Sequence, residues 1–191
     1  MTLAGHDENP VDALHVRRVE LARGGDEGAF ADLVREHQDR LYGVALRMVG
    51  NEQDARDVVQ EAFLQAWQHL PGFRGEAQFG TWLTRILINR CQNLRRARRP
   101  VDSLPDEDQA VPGSLQVAAA ETVAVSEQRR EAVRRALLSL PLDQRAPLVL
   151  TTFSGYTHAQ TGRILGISES ATKVRAHRAR GVLAGLLREW R

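Results

Sequence analysis

Ser170, Lys173 and His177 recur at steps of three and four residues, with Arg175, Arg178 and Arg180 beside them. On a helix that spacing gathers side chains onto one face. A hydroxyl, an ammonium and an imidazole offer donors and acceptors suited to base edges, and guanidinium forks suit phosphates. A second set, Arg85, Asn89, Gln92 and Arg96, recurs in the same way. Arg85 to Arg99 holds six arginines and no acidic residue, so this charge is not neutralised within its own segment. Phe73, Phe79 and Trp82 lie just upstream. Aromatic and basic groups side by side can stack on unpaired bases and hold the backbone. The competing reading makes the arginines a solvated face and Phe79 and Trp82 a cap on the core. A third set, Asp54, Asp57, Glu61, Gln65 and Gln68, opposes an apolar stripe. It reads either as a docking face for a basic partner or as ordinary solvated surface, and Asp54 and Asp57 also suit the helix dipole.

These sets need helices to position them. Phe30, Leu33, Val34, His37 and Leu41 begin an apolar stripe that Ala45 and Met48 extend, up to a break at Gly50-Asn51. A second helix is expected from about Gln53 to Leu70, with Val59, Ala62, Phe63, Ala66 and Leu70 inward, ended by Pro71-Gly72. A third is expected over Thr81 to Arg98, with Leu83, Ile86, Leu87, Cys91 and Leu94 buried and Pro100 as its stop. Pro100 to Val125 carries three prolines, Gly113 and the acids Asp102, Asp106, Glu107 and Asp108, which makes it an acidic tether. Its end, Leu115 to Ala124, can begin the next helix. Glu127 to Ser139 and Asp143 to Phe153 follow as helices. Thr157-His158-Ala159-Gln160 has the pattern of a capping box, Gly166 supplies a turn, and Ser168 caps a helix from Glu169 to about Leu187. In that last helix Ala171, Val174 and Val182 are expected to face inward. A short helix, a glycine turn and a basic helix with polar residues near its start make a helix-turn-helix, the geometry that enters a major groove. The fold class is all-α: two small helical domains joined by a flexible acidic linker.

Composition bounds the rest. The 191 residues fit one medium or two small domains, and a hydrophobic share of 42% supports real cores. Net charge is only +2, and Lys173 is the only lysine, so the basic character is carried by arginine. Cys91 is the only cysteine, which excludes an intrachain disulfide and a cysteine-rich zinc site. Met1 to Pro10 has no apolar signal core, and no run of about 18 apolar residues exists, so no membrane insertion is expected. No nucleophile–base pair or phosphate-binding glycine loop stands out. His6, His15, His37, His69, His158 and His177 show no metal-like spacing, so neither metal nor cofactor is expected and the chain is not read as an enzyme.

The chain resembles the sigma-70 family of bacterial RNA polymerase sigma factors, in its small extracytoplasmic-function group. The resemblance covers about Gly25 to Arg99 and Glu127 to Leu187. DARDVVQEAFLQAW (Asp54 to Trp67) is similar to region 2.2, FRGEAQFGTWLTRILINRCQNLRR (Phe73 to Arg96) to regions 2.3 and 2.4, and Leu140 to Arg180 to region 4. It implies promoter-specific transcription initiation in the cytoplasm. The partners implied are the β′ and β subunits of core RNA polymerase, promoter DNA and an anti-sigma factor. Residues 1–24 would be a leader and the start of the first helix, 25–99 a region 2 domain, 100–125 the linker and 126–191 a region 4 domain. Asp54, Asp57, Gln60 and Glu61 would bind the clamp helices of β′. Phe73, Arg74, Phe79, Trp82, Arg85, Asn89, Gln92 and Arg96 would bind the minus-ten element. Ser168, Ser170, Lys173, Arg175, His177, Arg178 and Arg180 would bind the minus-thirty-five element.

Three departures carry expectations. Gln160 and Thr161 stand where the family has an acidic and an aliphatic residue, and Gly162 where alanine is common. A helical glycine costs about 1 kcal/mol relative to alanine, so this helix is expected to be loosened or its packing changed. Gly80 replaces a larger residue, which is expected to weaken a promoter contact. Two other functions remain open: a stand-alone helix-turn-helix regulator whose N-terminal block senses a ligand or dimerises, and a nucleic-acid-processing enzyme.

Overall fold

The structure is a computed structural model that describes residues 10–97 and 120–190. Of the segment expected to hold the leader and the start of the first helix, Pro10–Arg23 forms α1, which packs on α2 (Glu27–Val49), and residues 1–9 lie outside the described residues. The acidic tether falls mostly outside the described residues, and α5 (Ala120–Ser139) begins within its expected end.

Local chemistry sets the boundaries. Asp26 accepts a hydrogen bond from the Ala29 amide at 2.9 Å and starts α2, and Gly50, at φ 93°, ends it. Asn51 then accepts from the Asp54 amide at 2.7 Å and starts α3 (Glu52–His69). A single 3-10 turn, Leu70–Gly72, closes α3 at Pro71, and α4 (Phe79–Ala97) follows. The second half holds α6 (Leu142–Leu148), a wide π-type turn over Val149–Phe153, α7 (His158–Leu165) and α8 (Glu169–Leu186).

Leu33, Leu41, Met48, Ala62, Ala66, Leu70, Leu83 and Leu87 form a fully buried core at the junction of α2, α3 and α4. Leu137, Leu148, Val149, Leu150 and Ile164 of the second half are buried in the same continuous hydrophobic cluster. The two halves meet along a seam where polar contacts join the shared apolar cluster. Arg145, wholly buried, donates to the carbonyls of Met48 at 2.7 Å and Leu140 at 2.9 Å, and also to that of Leu138. Burial, and secondarily Arg95, push its pKa down to about 9, which still leaves it charged at neutral pH. The carbonyls it binds stand in for lost water, as a buried cation requires. Arg134 donates to the Gly50 carbonyl at 2.6 Å. Tyr156 places its hydroxyl 2.7 Å from Thr84 Oγ1 and 3.2 Å from the Gly80 carbonyl of α4.

Candidate polymerase and nucleic-acid surfaces

The acidic face of α3 is smaller than its sequence suggests. Asp57, Gln60 and Glu61 are exposed, but Asp54 is only 6% exposed. Its backbone amide is capped by Asn51, whose side chain also donates to the Asp54 carboxylate. Asp54 therefore serves the start of the helix rather than an outward face. Glu61 lies 3.7 Å from Arg90 of α4, which also donates to Gln65 at 2.9 Å. So one arginine of the basic run is partnered by the neighbouring helix, which a single-segment reading of charge could not detect. Beside the acidic face lies an apolar groove of about 530 Å³ between α2 and α3, lined in part by Phe30, Val34, Val59, Phe63, Leu64 and Trp67. Leu64 is 56% exposed at its edge. The sequence placed Phe30, Val34 and Val59 in the core. They sit at the rim of the stripe, where the outermost apolar residues stay half-buried.

On α4, Arg85, Asn89 and Arg96 are exposed, and Gln92 is half-buried beside them. Arg74 is exposed in the preceding loop. The aromatic residues behave differently. Phe79 is 3% exposed and Phe73 9%, and their rings pack 6.1 Å apart with Trp82 at 5.7 and 4.9 Å respectively. Phe73 and Phe79 cap the core and are not available to stack on a base. Trp82 is half-buried and keeps an accessible edge. Gly80 is buried too, and a Cβ there would lie 2.5 Å from an Arg40 nitrogen and 3.3 Å from His37 Cε1. Gly80 therefore lies on the side of α4 that faces α2.

The helix-turn-helix is assembled as its sequence indicates. Gln160 N donates to Thr157 Oγ1 at 3.1 Å and Thr157 N donates to Gln160 Oε1 at 2.9 Å, the reciprocal capping box that starts α7. Gly166 takes the left-handed conformation at φ 67°. Ser168 Oγ accepts from the Ala171 amide at 3.1 Å and lies 3.0 Å from Ser170 Oγ, so Ser168 is engaged as the cap of α8. Gly162 is accounted for by close approach. A Cβ there would stand 2.7 Å from the Ile167 carbonyl oxygen. The glycine lets the turn fold tightly over α7, with Ile167 N donating to Gly162 O at 2.9 Å. Thr161 is fully buried, and its hydroxyl has no hydrogen-bond partner.

The inward face of α8 differs from expectation. Thr172, Ala176 and Ala179 are buried, whereas Val174 is 48% and Val182 45% exposed and Ala171 is half-buried. Small residues let the helix lie close to α6, so size rather than hydrophobicity selected the buried positions. Ser170, Lys173, His177, Arg178 and Arg180 are exposed and Arg175 is half-buried. Lys173 pairs with Glu169 at 2.6 Å, and that contact holds the Glu169 carboxyl below its usual range.

Comparison with known proteins covers both surfaces. A family model described as sigma-70 region 2 matches residues 33–101, and one described as sigma-70, region 4 matches residues 130–183. The chain is 37% identical over 163 residues to the ECF RNA polymerase sigma factor SigM of Mycobacterium tuberculosis, covering 85% of this chain and 79% of that one. It is similar to a solved structure of CnrH in complex with the cytosolic domain of CnrY, at a TM-score of 0.71 and 30% identity over 93% of this chain and 99% of that one. It is also similar to the sigma factor RpoE of Bartonella quintana, crystallised with the anti-sigma factor NepR, at a TM-score of 0.61 and 25% identity over 82% and 97%.

Proposed function

The chain belongs to the extracytoplasmic-function group of the sigma-70 family of RNA polymerase sigma factors, and from that premise we propose how its surfaces divide between polymerase and promoter. Its function is promoter-specific initiation of transcription, and it is not an enzyme. No helix among the described residues is long and apolar enough to cross a membrane. We assign its work to the cytoplasm, where RNA polymerase acts. In this division 1–24 leads into the bundle through α1, 25–99 is the region 2 domain, 100–125 the linker and 126–191 the region 4 domain.

Core polymerase docks on α3 through Asp57, Gln60 and Glu61, with the apolar groove beside them taking a hydrophobic anchor from the clamp helices of β′. Arg74, Trp82, Arg85, Asn89, Gln92 and Arg96 hold the minus-ten element, while Phe73 and Phe79 fix the loop from below. Ser170, Lys173 and His177 reach base edges of the minus-thirty-five element, and Arg175, Arg178 and Arg180 meet phosphates. The observation that carries this reading is the pairing on one chain of two exposed basic faces, one on α4 beside an aromatic loop and one on a capped helix-turn-helix.

The seam sets a condition on promoter binding. The two elements lie about 25 base pairs apart by their own positions, roughly 85 Å of duplex at 3.4 Å per pair. Tyr156 and Thr84 are in direct hydrogen-bond contact, so the two domains must part before both elements are held at once. In this reading the closed form is the one an anti-sigma partner would keep.

The docking face is tested by Asp57→Lys combined with Leu64→Asp, both exposed and outside the core. The variant is expected to bind core polymerase at least about tenfold more weakly while keeping its helix content. Unchanged affinity at moderate salt would remove α3 from the interface.

A further inference from the structure

We infer that His15, Glu36 and His37 form a binding site for a zinc-class divalent cation where α1 crosses α2, against the aromatic root of α4. His15 Nδ1 lies 3.0 Å from Glu36 Oε1 and His37 Nε2 lies 3.9 Å from the same oxygen. All three donor atoms fall within 4.8 Å of one another. Zinc bonds of about 2.0–2.2 Å in a tetrahedron place ligand atoms roughly 3.3–3.6 Å apart, so small side-chain rotations close the set. Two imidazoles and one carboxylate suit zinc, with a fourth position left for water, whereas calcium and magnesium favour all-oxygen sites.

An ordinary ion pair accounts for only part of this arrangement. Arg18 donates to Glu36 Oε2 at 3.1 Å, which leaves Oε1 for His15. His37 is 7% exposed, and its Nε2 has no hydrogen-bond partner although it points at this cluster. A buried polar nitrogen is costly to leave unmatched, and a cation would satisfy it. Arg40 lies 3.4 Å from His37 Nδ1 and also sits over the Tyr156 ring at 5.2 Å. Coordination through Nε2 puts the proton on Nδ1, so Arg40 gives up the long contact and keeps the ring.

The position gives the ion a consequence. The rings of His15 and His37 stand 6.2 and 5.4 Å from Phe79, which supports the loop ahead of α4. A bound ion fastens α1 to α2 beside that support and stiffens it. The inference goes beyond the promoter reading, and its test needs no polymerase, so either can fail without the other.

The test is competition for Zn²⁺ between the tag-free full chain and a chromogenic chelator at pH 7, with cobalt(II) as a spectroscopic substitute. One ion per chain and a four-coordinate cobalt spectrum are expected. His15→Ala and Glu36→Gln should each weaken binding by at least about tenfold and abolish that spectrum. Both positions retain solvent contact, so both variants should fold, as metal-free melting curves matching the wild type would establish. Absence of stoichiometric zinc binding, or undiminished affinity in both folded variants, would overturn the site.

Discussion

The two helices assigned to DNA, α4 and α8, carry similar basic faces on opposite structural plans. Helix α4 buries large residues, among them Leu83, Ile86, Leu87, Ile88 and Phe79, and shows solvent only a narrow strip. Helix α8 buries only Thr172, Ala176 and Ala179, and most of its circumference is open. The first is a core element with an exposed basic edge. The second is a surface element held by its cap, its turn and close backbone approach. A helix that must hold melted strands against the body of the protein benefits from being part of the core. A helix that enters a groove must stand clear of it.

This contrast predicts an ordered series of effects. The largest comes from Leu87→Ala in α4, expected to cost about 3 kcal/mol by loss of buried surface and the cavity left behind. Val182→Ala in α8 should cost under about 0.5 kcal/mol, because that side chain is 45% exposed. Thermal and urea unfolding of both variants checks the pair, and comparable losses would break the distinction. A smaller effect is expected from Tyr156→Phe, which removes the hydroxyl at Thr84 and Gly80. A loss of about 1 kcal/mol at the seam should widen the distance distribution between labels on the two halves, while α4 keeps its protection from amide exchange. An unchanged distribution would show that the seam does not depend on this contact. The smallest concerns charge: Glu169→Gln frees Lys173 from its 2.6 Å pair. DNA affinity at low salt should rise and the salt slope steepen by about one counterion. A flat response would mean that Lys173 does not meet phosphate or base in the complex.

The sequence was legible where hydrophobic volume and local capping decide the outcome. The apolar stripes of α2, α3 and α4, the capping box at Thr157 and the turn at Gly166 follow from spacing and residue type alone. It misled where small residues win. Val174 and Val182 have the hydrophobicity of core residues, but α8 packs too closely for them, and Ala176 and Ala179 take the inside. It was silent where groups distant in sequence meet. For Asp54 and Phe79 the sequence left two readings open, and the Asn51 contact and the cover from α1 and α2 choose between them, while Gly162 looks destabilising until the Ile167 carbonyl is in place. The α2–α3 groove and the His15–Glu36–His37 cluster likewise arise from packing between helices, which no single-segment periodicity contains.

The central claim is that α8 reads duplex promoter DNA for a polymerase docked elsewhere on the chain. Its most direct test is transcription from genomic promoter fragments with core RNA polymerase, comparing the wild type with the double variant Lys173→Ala, His177→Ala. The wild type should start transcripts at defined promoters only when core enzyme is present. The double variant should lose its dependence on the upstream duplex element while its affinity for core polymerase is unchanged. No promoter-specific transcript from the wild type, together with binding to a palindromic site as a dimer in the absence of polymerase, would contradict the account.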